Sequence, residues 1–355
     1  MPKRSSVRNF SLDVIRSIAI LMVVCEHASP SILVGAPNLL MNTFGTIGVP
    51  LFVMLSGYLL LDRDYNTEYA KHFTLFNILP LIVSFEIWNI VWCIISQYLG
   101  QSPISVSTCI KVALFMSPTG NGMWYLPMII GLYIGIPIVS RTLAWLQSSQ
   151  NIAYRIVLLF CCIFFGTFVP TLNQLSFLSP PWGSVENVLN MNIFGANVWG
   201  DSVWMLYLIL GYLIKRGAFN RVHELLALVV MIVSGAALVL FHHVAMSSGL
   251  PWDTYYSNIF LVICSVCVFI IIERLGSLVK AKENAICHFV TLISKYSFGI
   301  YMIHFWILEL MLIYVDARTI VAYCIIVPVC IASSIFVCYV ISNSTFCRRW
   351  LLLIK

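Results

Sequence analysis

Long apolar runs broken by short polar stretches set the pattern of this chain. They lie near residues 11–29, 44–61, 74–98, 123–140, 152–172, 202–214, 225–242, 257–273, 297–314 and 320–342. A helix needs ~20 mostly apolar residues to cross a bilayer, and most of these runs come close to that length. The sixth is short and is read as starting a few residues earlier. Residues 104–117 and 284–293 read as interfacial or re-entrant pieces. No internal repeat, low-complexity tract or soluble domain breaks the series. The expected fold is therefore all-α: a polytopic bundle of about ten transmembrane helices. It forms a single membrane domain over 1–355, with a short N-terminal segment, 1–10, and a C-terminal tail, 343–355.

Composition agrees with the pattern. Hydrophobic residues make up 60% of the 355 positions and charged residues only 10%, where a soluble domain carries about a quarter. The net charge of +6 is spread over short loops, so it is not a nucleic-acid signal. Most of the 12 cysteines sit inside apolar runs and read as small packing residues. That includes the C-x-x-C of Cys264 and Cys267, which has no charge nearby to stabilise a thiolate.

Charge fixes an expected orientation. With the N-terminus in the cytoplasm and strict alternation, 17 of the 20 Lys and Arg fall in cytoplasmic segments. Lys111 and Arg318 fall outside, and Arg16 lies within the first run. Both termini are expected inside. The basic start "MPKRSSVRNF" before an apolar run has the form of a cleavable signal, but it is read here as leading into a retained first helix.

The first run, "LDVIRSIAILMVVCEHASP", carries Asp13, Arg16, Glu26 and His27. Eleven residues at about 100° each bring His27 to within about 20° of Arg16, roughly 16 Å further along the axis. The two share one face, with Arg16 toward the cytoplasmic end and His27 toward the outer half. Asp13, one turn before Arg16, is placed to pair with it. A charge at the bilayer centre costs about 2.5–3.5 kcal/mol on insertion scales. This face must therefore look into a polar cavity or onto partner groups. It is either a structural pair satisfied by other helices, or a cytoplasmic anion site linked to a base inside the membrane. Glu26 projects about 100° from His27 and is not its expected orienting partner.

These residues also carry a family resemblance. Arg16 and His27 form R-x10-H in a run beginning "LDVIRSIAI". Further blocks follow in order: "GVPLFVMLSGYLL", "MWYLPMIIGLYIGIPIV" and "SKYSFGIYMIHFWIL". Together they resemble the membrane-bound acyltransferase-3 family, which O-acylates cell-surface sugars. The likeness is closest to its short stand-alone surface-glycan O-acetyltransferases, such as the one acting on the enterobacterial common antigen; "WGDSVWMLY" and "PWDTYY" resemble that branch too. One feature departs from the pattern. The family often carries R-x-x-R in its first cytoplasmic loop, whereas "LDRDYNTEYAKHFTLFNILP" has Arg63, Lys71 and His72 without such a pair.

The resemblance implies an enzyme of the bacterial inner membrane. It would use acetyl-CoA as co-substrate and a lipid-linked or surface glycan, such as O-antigen or lipopolysaccharide, as acceptor, with no bound cofactor, no metal and no nucleic-acid partner. CoA phosphates need cations on the cytoplasmic side, which Arg16, Lys71 and Arg155 can supply. His27 is the natural general base, or else a covalent acetyl carrier. Tyr301 and His304 share a helix face and either line the same cavity or make packing hydrogen bonds. Trp124 and Tyr125 at an outer interface are either belt aromatics or sugar contacts. Asp201, with Trp182, Asn187 and Trp199 in the longest outer loop, is either loop structure or a glycan contact. Ser56 reads mainly as close helix packing, and Asp13 as lining beside Arg16. Glu86 and Glu309 are intramembrane acids. His72, His223, His242, His243 and His288 lie near span ends and read as solvated. Two competing readings are a proton-coupled small-molecule transporter and an acetyl carrier that feeds a separate extracytoplasmic transferase.

Overall fold

A computed structural model describes residues 9–98, 105–114, 123–147, 151–175, 202–247, 256–278, 285–315 and 318–354. Among them the regular elements are helices and none is a strand. In chain order these are α1 (Phe10–Ile32), α2 (Gly35–Gly45), α3 (Gly48–Leu60), α4 (Thr67–Phe73), α5 (Leu79–Tyr98), α6 (Val106–Ala113), α7 (Tyr125–Leu146) and α8 (Ile152–Ile163). There follow α9 (Val169–Leu175), α10 (Ser202–Lys215), α11 (Glu224–Ser247), α12 (Ile259–Leu278), α13 (Ala285–Tyr314), α14 (Ile320–Ile341) and α15 (Thr345–Trp350).

Eight stretches of described helix are long and apolar enough to cross a membrane. They match eight of the ten runs read from the sequence. The other two runs are helical as well. The first forms α1, whose 23 residues reach about 34 Å at 1.5 Å per residue, but it carries the four ionisable groups noted above. The sixth forms α10, with only 14 residues.

Three boundaries differ from the sequence reading. The second span begins at Gly35, because α2 runs almost directly into α3. The third begins at Thr67, where Asn66 caps α4 by accepting from the Tyr69 N–H at 2.9 Å. Residues 285–293 are not a separate re-entrant piece. They form the first turns of the 30-residue α13, and contain no Gly or Pro that would separate them from the rest of the helix. The other such piece contains the short helix α6.

Short π-helical stretches join α4 to α5 (Thr74–Ile78) and α8 to α9 (Phe164–Phe168). Each ends two residues before a proline, Pro80 and Pro170. A proline cannot donate to the carbonyl four residues back and its ring crowds that carbonyl, so a widened turn lets the helix continue.

The chain divides into two compact units. The first comprises residues 1–58 and 210–335. Within it α1 packs on α13, α2 and α12, while α11 packs along α12 and on α2. The close approaches use residues without bulk. A Cβ on Gly48 would lie 2.6 Å from the Ala19 carbonyl oxygen, and one on Gly276 would lie 2.7 Å from the Ser11 Cα. Small residues at contacts are how membrane helices bring their backbones together. Cys264 and Cys267 are buried free thiols in this unit, as packing residues would be. His242 corrects the expectation of a solvated side chain: it is buried, with Nδ1 2.5 Å from the Thr43 hydroxyl. His72, His223, His243 and His288 are exposed.

The second unit comprises residues 59–209 and 336–355. Its C-terminal segment is held against α5, where the Leu351 carbonyl accepts from Ser84 Oγ at 3.1 Å and Trp88 Nε1 at 3.0 Å. In the turn between α3 and α4, Tyr65 is buried and donates to the Leu60 carbonyl at 3.1 Å. Burial pushes its phenol above the usual range, so it stays a donor at neutral pH.

Gly211 of α10 is the tightest of the described glycine contacts. A Cβ there would sit 1.8 Å from the Met54 carbonyl oxygen of α3. Overpacking a close contact typically costs about 1–3 kcal/mol. Gly211→Leu is expected to lower the thermal midpoint of the detergent-solubilised protein sharply. Gly235→Ala, whose new methyl meets the tip of Phe44 at 3.2 Å and Cys264 Sγ at an ordinary 3.9 Å, is expected to be mild. Equal melting curves for the two variants would contradict this packing.

Candidate functional site

Helix α1 begins with Asn9, whose side chain accepts from the Ser11 N–H at 3.0 Å. That cap leaves Asp13 and Arg16 in the first two turns, and both reach one hydroxyl on α13. Ser294 Oγ donates to Asp13 Oδ1 at 2.6 Å and accepts from Arg16 Nη1 at 3.4 Å. Asp13 is buried at 5% exposure, whereas Arg16 is half-buried. One turn away, Ser17 Oγ donates to the Val290 carbonyl at 2.9 Å. The acidic and basic groups at this end of α1 are therefore joined through α13.

The second station lies eleven residues further along α1. His27 Nδ1 is 2.9 Å from His304 Nε2, with the ring centroids 5.2 Å apart and the planes within 8°. Phe305 presents its edge to the His27 ring at 5.5 Å. His304 Nδ1 lies 2.9 Å from the carbonyl oxygen of Ile300, one turn back on its own helix. Cys330 of α14 donates to the His304 carbonyl at 3.3 Å, and Tyr323 of the same helix donates to the Cys25 carbonyl at 3.1 Å. His304 is only 1% exposed, while His27 is half-buried. The Tyr301 ring packs 6.2 Å from that of His304, and Glu26 is buried on α1. The Cβ of Glu26 lies where a Gly45 side chain would be, 2.5 Å from the ideal position.

The two stations give the helices a direction. Arg16 pairs with Ser294 and His27 with His304, so α1 and α13 run parallel. Eleven residues on one helix match ten on the other, roughly 15–16 Å of rise on both.

Asp13, Arg16, His27, Tyr301 and His304 are thus brought together along one helix pair. Ser56, in the same unit, donates to the Phe52 carbonyl of its own helix at 3.1 Å, a packing role. Lys71, Arg155, Trp124 and Tyr125 belong to the second unit. Lys71 and Arg155 are exposed there. Trp124 is 37% exposed and sits in an aromatic cluster with Tyr125 at 6.3 Å and Trp204 at 5.6 Å, which Tyr207 extends. Asp201, with Trp182, Asn187 and Trp199, lies outside the described residues. Glu86 and Glu309 each keep one buried carboxylate oxygen without a hydrogen-bond partner.

Sequence reasoning missed Ser294. Its hydroxyl lies in the quoted block "SKYSFGIYMIHFWIL", but a serine in an apolar helix carries no sign of its own.

A multi-pass helical membrane protein with an arginine–carboxylate station and a histidine pair on one parallel helix seam is the class these features define. Residues 9–342 match the family model of the acyltransferase domain. The chain belongs to the acyltransferase-3 family and is a membrane acyltransferase. No curated protein and no solved structure matches it.

The hydroxyl of Ser294 is expected to be worth more than its size. Removing the donor from a buried carboxylate costs about 1–3 kcal/mol. Ser294→Ala should lower unfolding stability by about that amount, and Ser294→Thr should recover most of it. Denaturant titration of the purified protein reads the difference; an unchanged Ser294→Ala would remove the bridge from the account.

Proposed function

We propose that this acyltransferase takes an acyl group, most simply acetyl, from cytoplasmic acyl-CoA. It passes that group to a hydroxyl of a lipid-linked or cell-surface polysaccharide at the bacterial cytoplasmic membrane. The observation that carries the reading is the seam itself, with Arg16 at one end and the His27–His304 pair about 16 Å further on. CoA is anionic and confined to the cytoplasm, and its pantetheine arm is long and thin. A guanidinium at the cytoplasmic end can grip a phosphate bidentately. The thioester can then thread inward to a histidine. Lys71 and Arg155 are further cations for the CoA head. His27 takes the proton of the sugar hydroxyl as that oxygen attacks the thioester carbonyl. Trp124, Tyr125 and Asp201 are candidate acceptor contacts from the outer side.

Ten spans with both termini in the cytoplasm fit this path. The parallel pairing of α1 and α13 supports that count by parity. Two spans that run parallel are separated by an odd number of crossings. Six of the eight long candidates lie between them, and counting the short α10 as a crossing makes seven.

Two experiments test the reading. The first separates donor binding from transfer. His27→Ala is expected to bind acyl-CoA normally and to leave surface glycan without its O-acetyl group, as read by mass spectrometry and NMR of the glycan. Arg16→Ala is expected to lose acyl-CoA affinity, and Arg16→Lys to recover only part, because the planar fork is gone. Near-normal acetylation by well-expressed His27→Ala would overturn the assignment of the base. The second is sidedness. In a cysteine-less background, a Cys at Ala218 should be protected from an impermeant thiol reagent in intact spheroplasts, and a Cys at Ser247 should be labelled. The opposite pattern would invert the topology and break the donor path.

A further inference from the structure

The contacts of His304 determine more than its proximity to His27. Its Nδ1 faces the Ile300 carbonyl oxygen at 2.9 Å. A carbonyl oxygen can only accept, so this nitrogen carries the proton. In a neutral imidazole the other nitrogen, Nε2, is then an acceptor. That acceptor lies 2.9 Å from His27 Nδ1, which must supply the hydrogen. His27 is left with its proton on Nδ1 and a free lone pair on Nε2.

We infer that His304 is a positioning residue which locks His27 in the Nδ1–H tautomer and so makes His27 Nε2 the atom that handles the proton in acyl transfer. The chain of donors runs from His27 to His304 to the helix backbone, and each link has one direction. The surroundings agree with the division of labour. His304 is closed off at 1% exposure, while His27 is half-buried. Phe305 packs edge-on against the His27 ring at 5.5 Å and limits its rotation. Cys330 holds the His304 backbone carbonyl from the far side at 3.3 Å.

The step balances without any further reagent. The acceptor O–H proton moves to His27 Nε2 as the oxygen forms its bond to the thioester carbonyl carbon. The Nδ1–H stays in place, now donated from an imidazolium to the His304 lone pair, a stronger charge-assisted bond. When the tetrahedral carbon collapses, the C–S bond breaks and the sulfur leaves with the proton from His27 Nε2. The products are the ester and the free thiol, and His27 returns to its starting tautomer.

The inference rests on the proposed acyl transfer for its meaning, but its test does not. The ring-nitrogen NMR signals of ¹⁵N-histidine-labelled protein report the tautomer with no donor or acceptor present. The His27 signals are identified by their loss in His27→Gln. The expected result is a protonated Nδ1 and an unprotonated Nε2 on His27. A protonated Nε2 on neutral His27 would overturn the inference even if acyl transfer itself were confirmed. The kinetic arm compares two substitutions. Gln at 304 still offers a side-chain oxygen to the His27 Nδ1–H, and Leu offers none. His304→Leu is expected to lower kcat by about 10²–10⁴-fold, the contribution of a well-placed base, with KM for acetyl-CoA unchanged. His304→Gln is expected to come within about tenfold of the parent, the worth of one hydrogen bond. Equal losses in both variants, or a loss confined to KM, would reduce His304 to a packing residue.

Discussion

The structure of the first unit depends on the cost of placing ionisable groups in hydrocarbon. Helix α1 carries Asp13, Arg16, Glu26 and His27 within 15 positions. No lipid-facing helix can carry them, because each unsatisfied polar group there costs several kcal/mol. The helix must be surrounded, and the packing provides this. Helix α13 supplies Ser294 and His304 at the two polar stations. Glycines at positions 45, 48 and 276 bring three other segments onto the α1 backbone, too close for any side chain at those points. The small buried residues of α1 itself, Ser11, Ser17, Ala19, Ala28 and Ser29, complete the fit.

That enclosure has a chemical consequence. Two parallel helices in matched register hold two stations at a fixed separation and on one seam. Under the proposed function, a cation near one end and a base further along the seam are what a long donor needs if its anionic head must stay at the aqueous side. Fixing both on rigid helices, and not on loops, meets the sub-ångström tolerance that acyl transfer demands. The carboxylate of Asp13 has a supporting part. Through the Ser294 hydroxyl it shares a hydrogen-bond bridge with Arg16, which ties the guanidinium to α13.

Much of this was legible in the sequence. The α1 face could be read because helical geometry relates residues 16 and 27 whatever surrounds them. The helical runs themselves could be read because spans need length and apolarity. Three features could not. The bridging role of Ser294 depends on which helix packs against α1, and 278 residues of chain separate it from Arg16. The burial of His242 is hidden in the sequence because a histidine near the end of an apolar run looks solvated, yet α2 supplies it with Thr43. The helix over 285–293 reads as a separate piece because its polar residues dilute the apolar pattern, although nothing in its backbone chemistry stops it from joining the span that follows.

The pairing of two histidines, rather than histidine with a carboxylate, fits the same constraint. In an aqueous enzyme a buried aspartate commonly fixes the tautomer of the catalytic histidine and steadies the imidazolium that forms. A carboxylate paired with His27 inside an apolar helix bundle would carry its charge through the whole cycle, at about 2.5–3.5 kcal/mol on insertion scales. A neutral imidazole gives the same directional information, since its acceptor nitrogen is set by the backbone carbonyl behind it. It adds no charge to the resting site. Under the proposed mechanism, positive charge exists on His27 only while a proton is in transit, when the oxyanion developing on the reacting carbonyl offsets it. The permanent cation, Arg16, sits near the end of its helix, where charge is cheapest to hold; under the proposed function that is also the end an anionic donor reaches first.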